Sequence, residues 1–419
     1  MSAINNKPSN SELIYFDNNG TTKLCNEAIK EVTKWLSNYG NPSTDCKLAN
    51  KSKEMINCGK NYILKHCGVN SNNYSVIFTS GATESNCFIL RSMSSAYQKI
   101  NKQKPHIIIS AIEHPSIMAC CKSLYDNKCI DLTYILPQSD GSIDPMDVKD
   151  AIKKNTCLIS IMFANNETGT INNIEEIGKI AKQRKIPFHS DTVQIFGKMR
   201  LNIPKYNLDA ISVSFHKFYS PLGIGLLIIN NNLVNEYQLE GIINGTQQGG
   251  LRGGTESVPN IAGAIKGMNV NFINRPIKNK KLKELKLKCI EELEKYWPII
   301  YYEDFDNKQI KNKFDEVLVI IGSKTNCLPN TLLLSFVSFK SKICNTQLKK
   351  TLESKYNIIV AVGSACSTKS KLASHVLTNM NASDEIKRGV IRISFGDYNK
   401  LKEVTKFVKC YVSAINEQI

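Results

Sequence analysis

Ala210-Ile211-Ser212-Val213-Ser214-Phe215-His216-Lys217 reads as a short buried strand, Ala210–Ser214, that delivers a histidine and a lysine directly beyond its C-terminal end. Upstream, Val76–Thr79, His106–Ser110, Leu132–Leu136, Leu158–Phe163 and Pro187–Asp191 have the same β-rich texture, and Gly225–Ile229 follows. Between them lie segments of helical period; in Glu175–Arg184, Ile177, Ile180 and Ala181 share one face. Strands that alternate with helices predict an α/β domain with a mainly parallel sheet flanked by helices.

Near residue 265 the texture changes. A Lys/Glu-rich helical stretch leads into Ile277–Trp297, and strands are expected at Glu316–Ile321 and Thr331–Val337. A helix over Cys344–Lys355, a small-residue loop, a strand at Val390–Ser394 and a final helix complete a smaller α+β C-terminal domain. At 419 residues the chain exceeds what one hydrophobic core usually serves. The expected division is a large domain over 19–265 and a small domain formed by 1–18 with 266–419.

Hydrophobic residues make up 42% and charged residues 22%, which fits a folded enzyme and argues against a disordered chain. No segment approaches the ~18 consecutive apolar residues of a membrane helix. Met1–Pro8 carries neither an apolar secretion stretch nor an Arg-rich transit pattern, so a cytoplasmic protein is expected. The 14 cysteines include no C-x-x-C pair, which argues against a thiolate zinc site, and no metal is expected. A net charge of +17 raises a nucleic-acid partner. The lysines are spread along the whole chain, however, and the densest basic stretch, Arg275–Lys288, has Leu282, Leu285 and Cys289 at helical spacing beneath it. A solvated helix face accounts for it, and direct nucleic-acid contact is not expected.

Three polar clusters lie at strand ends, where open α/β sheets hold their ligands. In Thr79-Ser80-Gly81-Ala82-Thr83-Glu84-Ser85-Asn86 a strand ends in a glycine turn and a helix begins, an arrangement suited to a phosphate or simply to a helix cap. In His189-Ser190-Asp191-Thr192-Val193-Gln194 a strand-end carboxylate could hold a cationic ring nitrogen or could cap the next helix. Lys217 beside Ser214 and His216 suits a Schiff-base lysine, although most lysines are solvated. A fourth cluster, Gly363-Ser364-Ala365-Cys366-Ser367-Thr368, sets a thiol among small residues, either reactive or a free surface cysteine.

Together these residues resemble the cysteine desulfurases of the NifS/IscS type, within the class-V aminotransferase superfamily of fold-type-I pyridoxal 5'-phosphate (PLP) enzymes. The similarity runs from Tyr15-Phe16-Asp17-Asn18-Asn19-Gly20-Thr21-Thr22 to Ile391-Arg392-Ile393-Ser394-Phe395-Gly396. It passes in family order through Glu113-His114-Pro115-Ser116, Asn165-Asn166-Glu167-Thr168-Gly169 and Arg252-Gly253-Gly254-Thr255. The resemblance implies that Lys217 holds PLP covalently, that His114 stacks on its ring and that Asp191 pairs with the ring nitrogen. It further implies that Gln194 meets the phenolic oxygen, and that Ala82, Thr83, Ser214 and His216 bind the phosphate with Thr255 from the partner subunit of a homodimer. Asn166 and Arg392 would hold the substrate carboxylate. Cys366 would take the sulfur of L-cysteine as a persulfide, leaving L-alanine, for an acceptor protein of iron–sulfur assembly or tRNA thiolation. An aminotransferase, a selenocysteine lyase, or a PLP-fold module that binds tRNA are the alternatives.

The chain departs from the family pattern at five places. Cys46 stands where histidine is usual, Gly20 replaces alanine, and Gln248 replaces an acid. Phe215 stands where glycine often precedes His-Lys, and Asp397 follows Gly396 where arginine is common.

Overall fold

In the computed structural model, which describes residues 12–362 and 374–419, the β-rich runs of the first half form one seven-stranded sheet. Its strands are β1 (Tyr74–Thr79), β2 (His106–Ser110), β3 (Asp131–Ile135), β4 (Thr156–Ser160), β5 (Phe188–Asp191), β6 (Ala210–Ser214) and β7 (Gly225–Asn230). They lie in the order β1-β7-β6-β5-β4-β2-β3, and β7 alone runs against the others. Every predicted strand of this half is present, with ends that differ by up to three residues; β4 stops at Ser160, short of the Phe163 expected from its apolar run.

The sheet is covered on both faces, which is why its strands read as nearly continuous apolar runs. Along β2, Ile108 enters one core cluster while Ile107 and Ile109 enter another, and along β7 Leu226 and Ile228 part from Leu227 and Ile229 in the same way. That period-two split sends alternate side chains to opposite helical layers.

A second sheet of four strands, β8 (Ile299–Tyr301), β9 (Glu316–Ile321), β10 (Thr331–Ser338) and β11 (Val390–Ser394), has the order β11-β10-β9-β8. A further core forms on it from Phe16, Phe336, Phe407 and Tyr411, among others. The helix Val258–Glu294 joins the two regions. The helical stretch expected from near residue 265 into Ile277–Trp297 is a single helix that begins earlier, at Val258, and runs unbroken for 37 residues through Pro276. Proline removes one helical hydrogen bond. Burial of Ile261, Ala264 and Met268 in the first core, and of Leu282, Leu285, Cys289 and Leu293 in the second, holds both halves in line. The basic stretch from Arg275 to Lys288 lies on this helix over those buried positions.

The chain's first described residues join the C-terminal region. Ile14–Tyr15 pairs in parallel with Ile358–Ile359, and Asp17 bridges to Ser394. Among the described residues no helix is long and apolar enough to cross a membrane.

Candidate active site

The C-terminal ends of β1, β5 and β6, and the turn that follows β2, open on one cavity of about 660 Å³. Ala82, Thr83, His114, Asn166, Asp191, Gln194, Ser214, His216, Lys217 and Arg392 all line it. Residues far apart in the chain thus meet at one edge of the parallel sheet, as its topology dictates. Thr255 does not line this chain's own cavity; it is exposed on the loop before the long helix. Cys366 lies outside the described residues.

At one end, the helix Ala82–Asn101 starts from Gly81, which has no side chain to cap its first turn. Its N-terminal N–H groups and dipole make an anion site. A Cβ added to Gly81 would come within 4.0 Å of the Ser214 hydroxyl, so that hydroxyl borders the same turn. The His216 imidazole is pushed down to about 4 by burial and by the neighbouring Lys217, and is neutral at physiological pH. Its Nδ1 lies 3.0 Å from the Thr21 hydroxyl, which leaves Nε2 as its other polar atom.

Asp191 ends β5 and is only 5% exposed. Oδ1 accepts the Val193 N–H at 3.0 Å, and Oδ2 accepts the Asn86 amide at 2.9 Å. The same Asn86 amide donates to Ser116 Oγ at 2.9 Å, and Ser116 Oγ lies 2.8 Å from His114 Nδ1. His114 Nδ1 also accepts the Ser116 backbone N–H at 3.2 Å, so the ring's proton sits on Nε2. Burial holds this imidazole below its ordinary pKa against the pull of Asp191.

The Lys217 amine donates to the Asn19 carbonyl at 2.8 Å and to the Gly20 carbonyl. Arg392 is buried; its Nη2 pairs with Asp17 Oδ1 at 2.6 Å and its Nη1 with the Asn166 carbonyl at 3.1 Å, while its Nε has no partner among the described residues. Asn166 therefore contacts the guanidinium through its backbone. Behind the wall, Glu113 is fully buried and its carboxyl is pushed up to about 8 by burial. Glu167 is also raised by burial, and its Oε2 accepts the Ser374 hydroxyl at 2.6 Å.

Sequence reasoning missed several residues of this site. Asp17 and Asn19 lay inside a quoted motif without an assigned role, as did Asn86 and Glu113. His375 lines the cavity and reaches the Glu113 carbonyl at 2.9 Å through Nε2, and nothing in its local sequence announces it.

Residues 14–407 match the family described as "Aminotransferase class-V". The chain belongs to the class-V aminotransferase family. Among similar class-V proteins, the cysteine desulfurase IscS of Dictyoglomus turgidum is 33% identical over 392 residues, covering 93% of this chain and 91% of that protein. The cysteine desulfurase IscS of Methanosarcina thermophila is 32% identical over 405 residues, covering 96% and 92%. A solved NifS-like protein superposes with a TM-score of 0.82 at 29% identity, covering 97% of this chain and all (100%) of that one. The NifS-like protein from Rickettsia africae gives 0.79 at 27% identity, with the same coverage.

Class-V aminotransferases work with PLP, and this cavity fits that group on its own observations. Its volume suits a small cofactor with a substrate. The uncapped helix start can accept a phosphate. Asp191 is a buried carboxylate bonded by two neutral donors, a setting that favours a cationic partner. Lys217 reaches the floor between these two features.

The departures from the family pattern leave these contacts intact. Phe215 fills the core behind Lys217, with its ring centroid 5.4 Å from that of Phe218. Asp397 pairs with Lys278 at 2.5 Å, and Cys46 precedes the helix Lys47–His66 at an exposed position outside the cavity. Gln248 replaces a carboxylate with a group that both gives and takes hydrogen bonds. Its Oε1 accepts the Phe78 N–H at 2.7 Å and its Nε2 donates to the Phe78 carbonyl at 2.9 Å, on the free side of edge strand β1.

Proposed function

We propose that this protein is a PLP-dependent cysteine desulfurase, converting L-cysteine to L-alanine with the sulfur held as a persulfide on Cys366. The observation that carries the reading is one cavity in which Lys217, the buried Asp191 and Arg392 converge. The desulfurase names of its relatives support the substrate.

In this reading Ala82, Thr83, Ser214 and His216 hold the cofactor phosphate, Asp191 holds the ring cation, Gln194 meets the ring oxygen and His114 covers the ring. When bound, PLP supplies an electron sink for the carbon next to the substrate amine. Arg392 and Asn166 orient the substrate carboxylate, as a guanidinium does through two parallel N–H bonds. The Lys217 amine, once free, takes the Cα proton. His114 Nε2, already protonated, carries a proton to or from the substrate thiol. Cys366 acts as a thiolate on the substrate sulfur: an S–S bond forms, the Cβ–S bond breaks, and a proton is taken up at Cβ. The sulfur is oxidised to the sulfane state and the carbon is reduced, so no outside oxidant is needed.

Thr255, exposed and outside this chain's own cavity, supports a homodimer in which each subunit completes its partner's phosphate site. A sulfur-acceptor protein, either an iron–sulfur scaffold or a tRNA-thiolation enzyme, is the expected recipient. The described cysteines are all free thiols, as a reducing cytoplasm would keep them.

The test is an absorbance spectrum of the purified protein before and after L-cysteine, with sulfide (under a reductant) and alanine assayed in parallel. A cofactor band that responds to cysteine, with both products formed by the parent and neither by Cys366→Ala, supports the reading. Full turnover by Cys366→Ala, or no cofactor band, sinks it.

A further inference from the structure

Lys198 is buried in a way that lysines seldom are: it is 8% exposed, and its Nζ bonds two neutral oxygens in place of a carboxylate. These are Asn19 Oδ1 at 2.9 Å and Gln194 Oε1 at 2.7 Å. The nearby charges offer little relief. Burial, with the like charges of Lys217 and Arg392, holds its pKa well below the ordinary value. Arg275, Lys278 and Asp397 line the small cavity behind it, where Lys278 and Asp397 pair with each other. Such a lysine is a net cost to stability.

What it provides is orientation. A carboxamide has an accepting end and a donating end, and here the accepting end of Gln194 is taken by Lys198. The donating end, Nε2, points to the Asn19 carbonyl at 3.3 Å. That same carbonyl accepts the Lys217 amine at 2.8 Å, so Gln194 Nε2 stands beside the lysine at the cavity floor. Turning the carboxamide end for end would set its oxygen against the Asn19 carbonyl oxygen and take from the Lys198 Nζ one of its two acceptors. The side-chain oxygen of Asn19 that holds Lys198 from the other side is itself fixed, because Asn330 donates to Oδ1 at 3.1 Å and the Asn19 Nδ2 donates to Thr331 at 2.8 Å.

We propose that Lys198 is a positioning residue: it holds the Gln194 carboxamide with its N–H2 end toward the cavity, so that the ring oxygen of the bound cofactor meets a donor. The inference rests on the PLP reading above and deepens it.

The experiment titrates the visible absorbance of the PLP-loaded, full-length protein against pH. A donor at the ring oxygen favours the deprotonated cofactor, so its loss raises the titration midpoint. Lys198→Met and Gln194→Ala are each expected to raise it by about one pH unit, the worth of one hydrogen bond. The double variant is expected to move no further than Gln194→Ala alone, because the first residue acts through the second. An unchanged midpoint in Lys198→Met, or an equal shift from it in the Gln194→Ala background, overturns the proposal. Should Lys198→Met not fold, Lys198→Gln takes its place in the cycle with the same two outcomes. A parent protein with no cofactor band overturns the PLP reading and this inference with it; a band with additive shifts overturns this inference alone.

Discussion

Asn86 donates its amide to Asp191 Oδ2 at 2.9 Å, joining a helix that starts at the anion turn to the carboxylate at the end of β5. Both residues are buried, and the other N–H of the same amide reaches Ser116, which orients His114. One carboxamide therefore connects Asp191, proposed to hold the ring cation, to His114, proposed to carry the proton. Asn86 Oδ1 has no partner among the described residues, so the residue is held by what it donates.

Replacing Asn86 should therefore be felt at the cofactor. A hydrogen bond to a charged group is worth about 1.5–3 kcal/mol, so Asn86→Ala should weaken PLP binding by roughly 10–100-fold. Asn86→Asp should be worse, because it faces Asp191 with a second carboxylate. Equilibrium dialysis against PLP measures both, and equal retention by parent and variants would show that Asp191 needs no support from Asn86.

Glu113 predicts a pH dependence of stability. Its carboxyl ionises at about 8 in the folded chain against the ordinary 4.5, with burial as the main cause. An acid whose pKa is raised by folding lowers stability wherever the unfolded chain is ionised. The penalty is absent below pH 4.5, grows up to about pH 8 and is constant above it, reaching a few kcal/mol (order of magnitude). Glu113→Gln keeps an oxygen for Ser110 and the Met162 N–H and cannot ionise. Its stability relative to the parent should climb between pH 5 and pH 8 in urea unfolding, and a flat difference would mean that Glu113 is ionised in the folded protein.

Gln248 predicts the consequence of restoring the family's acid. In Gln248→Glu the new side chain would keep an acceptor for the Phe78 N–H. It would also set a carboxylate oxygen against the Phe78 carbonyl, where the Gln248 Nε2 now donates at 2.9 Å. The substitution should cost about 1–3 kcal/mol, read as a lower urea midpoint. An unchanged midpoint would mean that the loop detaches from the edge strand without loss.

The parts of this site that could be read in the sequence are those fixed by chain-local geometry. Asp191 and Lys217 follow directly from strand ends, and burial on both sheet faces gives β5 and β6 their texture. β8 escaped notice because three residues, Ile299–Tyr301, show too little alternation; it forms by pairing in parallel with Leu318–Ile320. The supporting residues escaped because their partners are remote in sequence. Asn86 meets Asp191 across 105 positions, Lys198 meets Asn19 across 179, and His375 meets the Glu113 carbonyl across 262. No window of sequence contains such pairs, and only the closing of the sheet brings them together.

Gly20 predicts a change in substrate binding. A Cβ added there would lie 2.5 Å from Asp17 Oδ2, closer than side chains pack. The Asp17 carboxylate would have to turn away, and doing so breaks its 2.6 Å contact with Arg392 Nη2. If Arg392 holds the substrate carboxylate as proposed, an incoming substrate competes with Asp17 for that nitrogen in the parent; in Gly20→Ala it need not. The expected outcome is a KM for L-cysteine lower by up to about tenfold, the worth of one charge-assisted hydrogen bond, with kcat little changed. Stability should fall, because the buried guanidinium loses its counter-charge. Arg392→Lys, which cannot offer two parallel N–H bonds, should move KM the other way by a similar factor. If Gly20→Ala leaves KM unchanged while Arg392→Lys raises it, then substrate reaches Arg392 without displacing Asp17, and the carboxylate of Asp17 orients the guanidinium instead of competing for it.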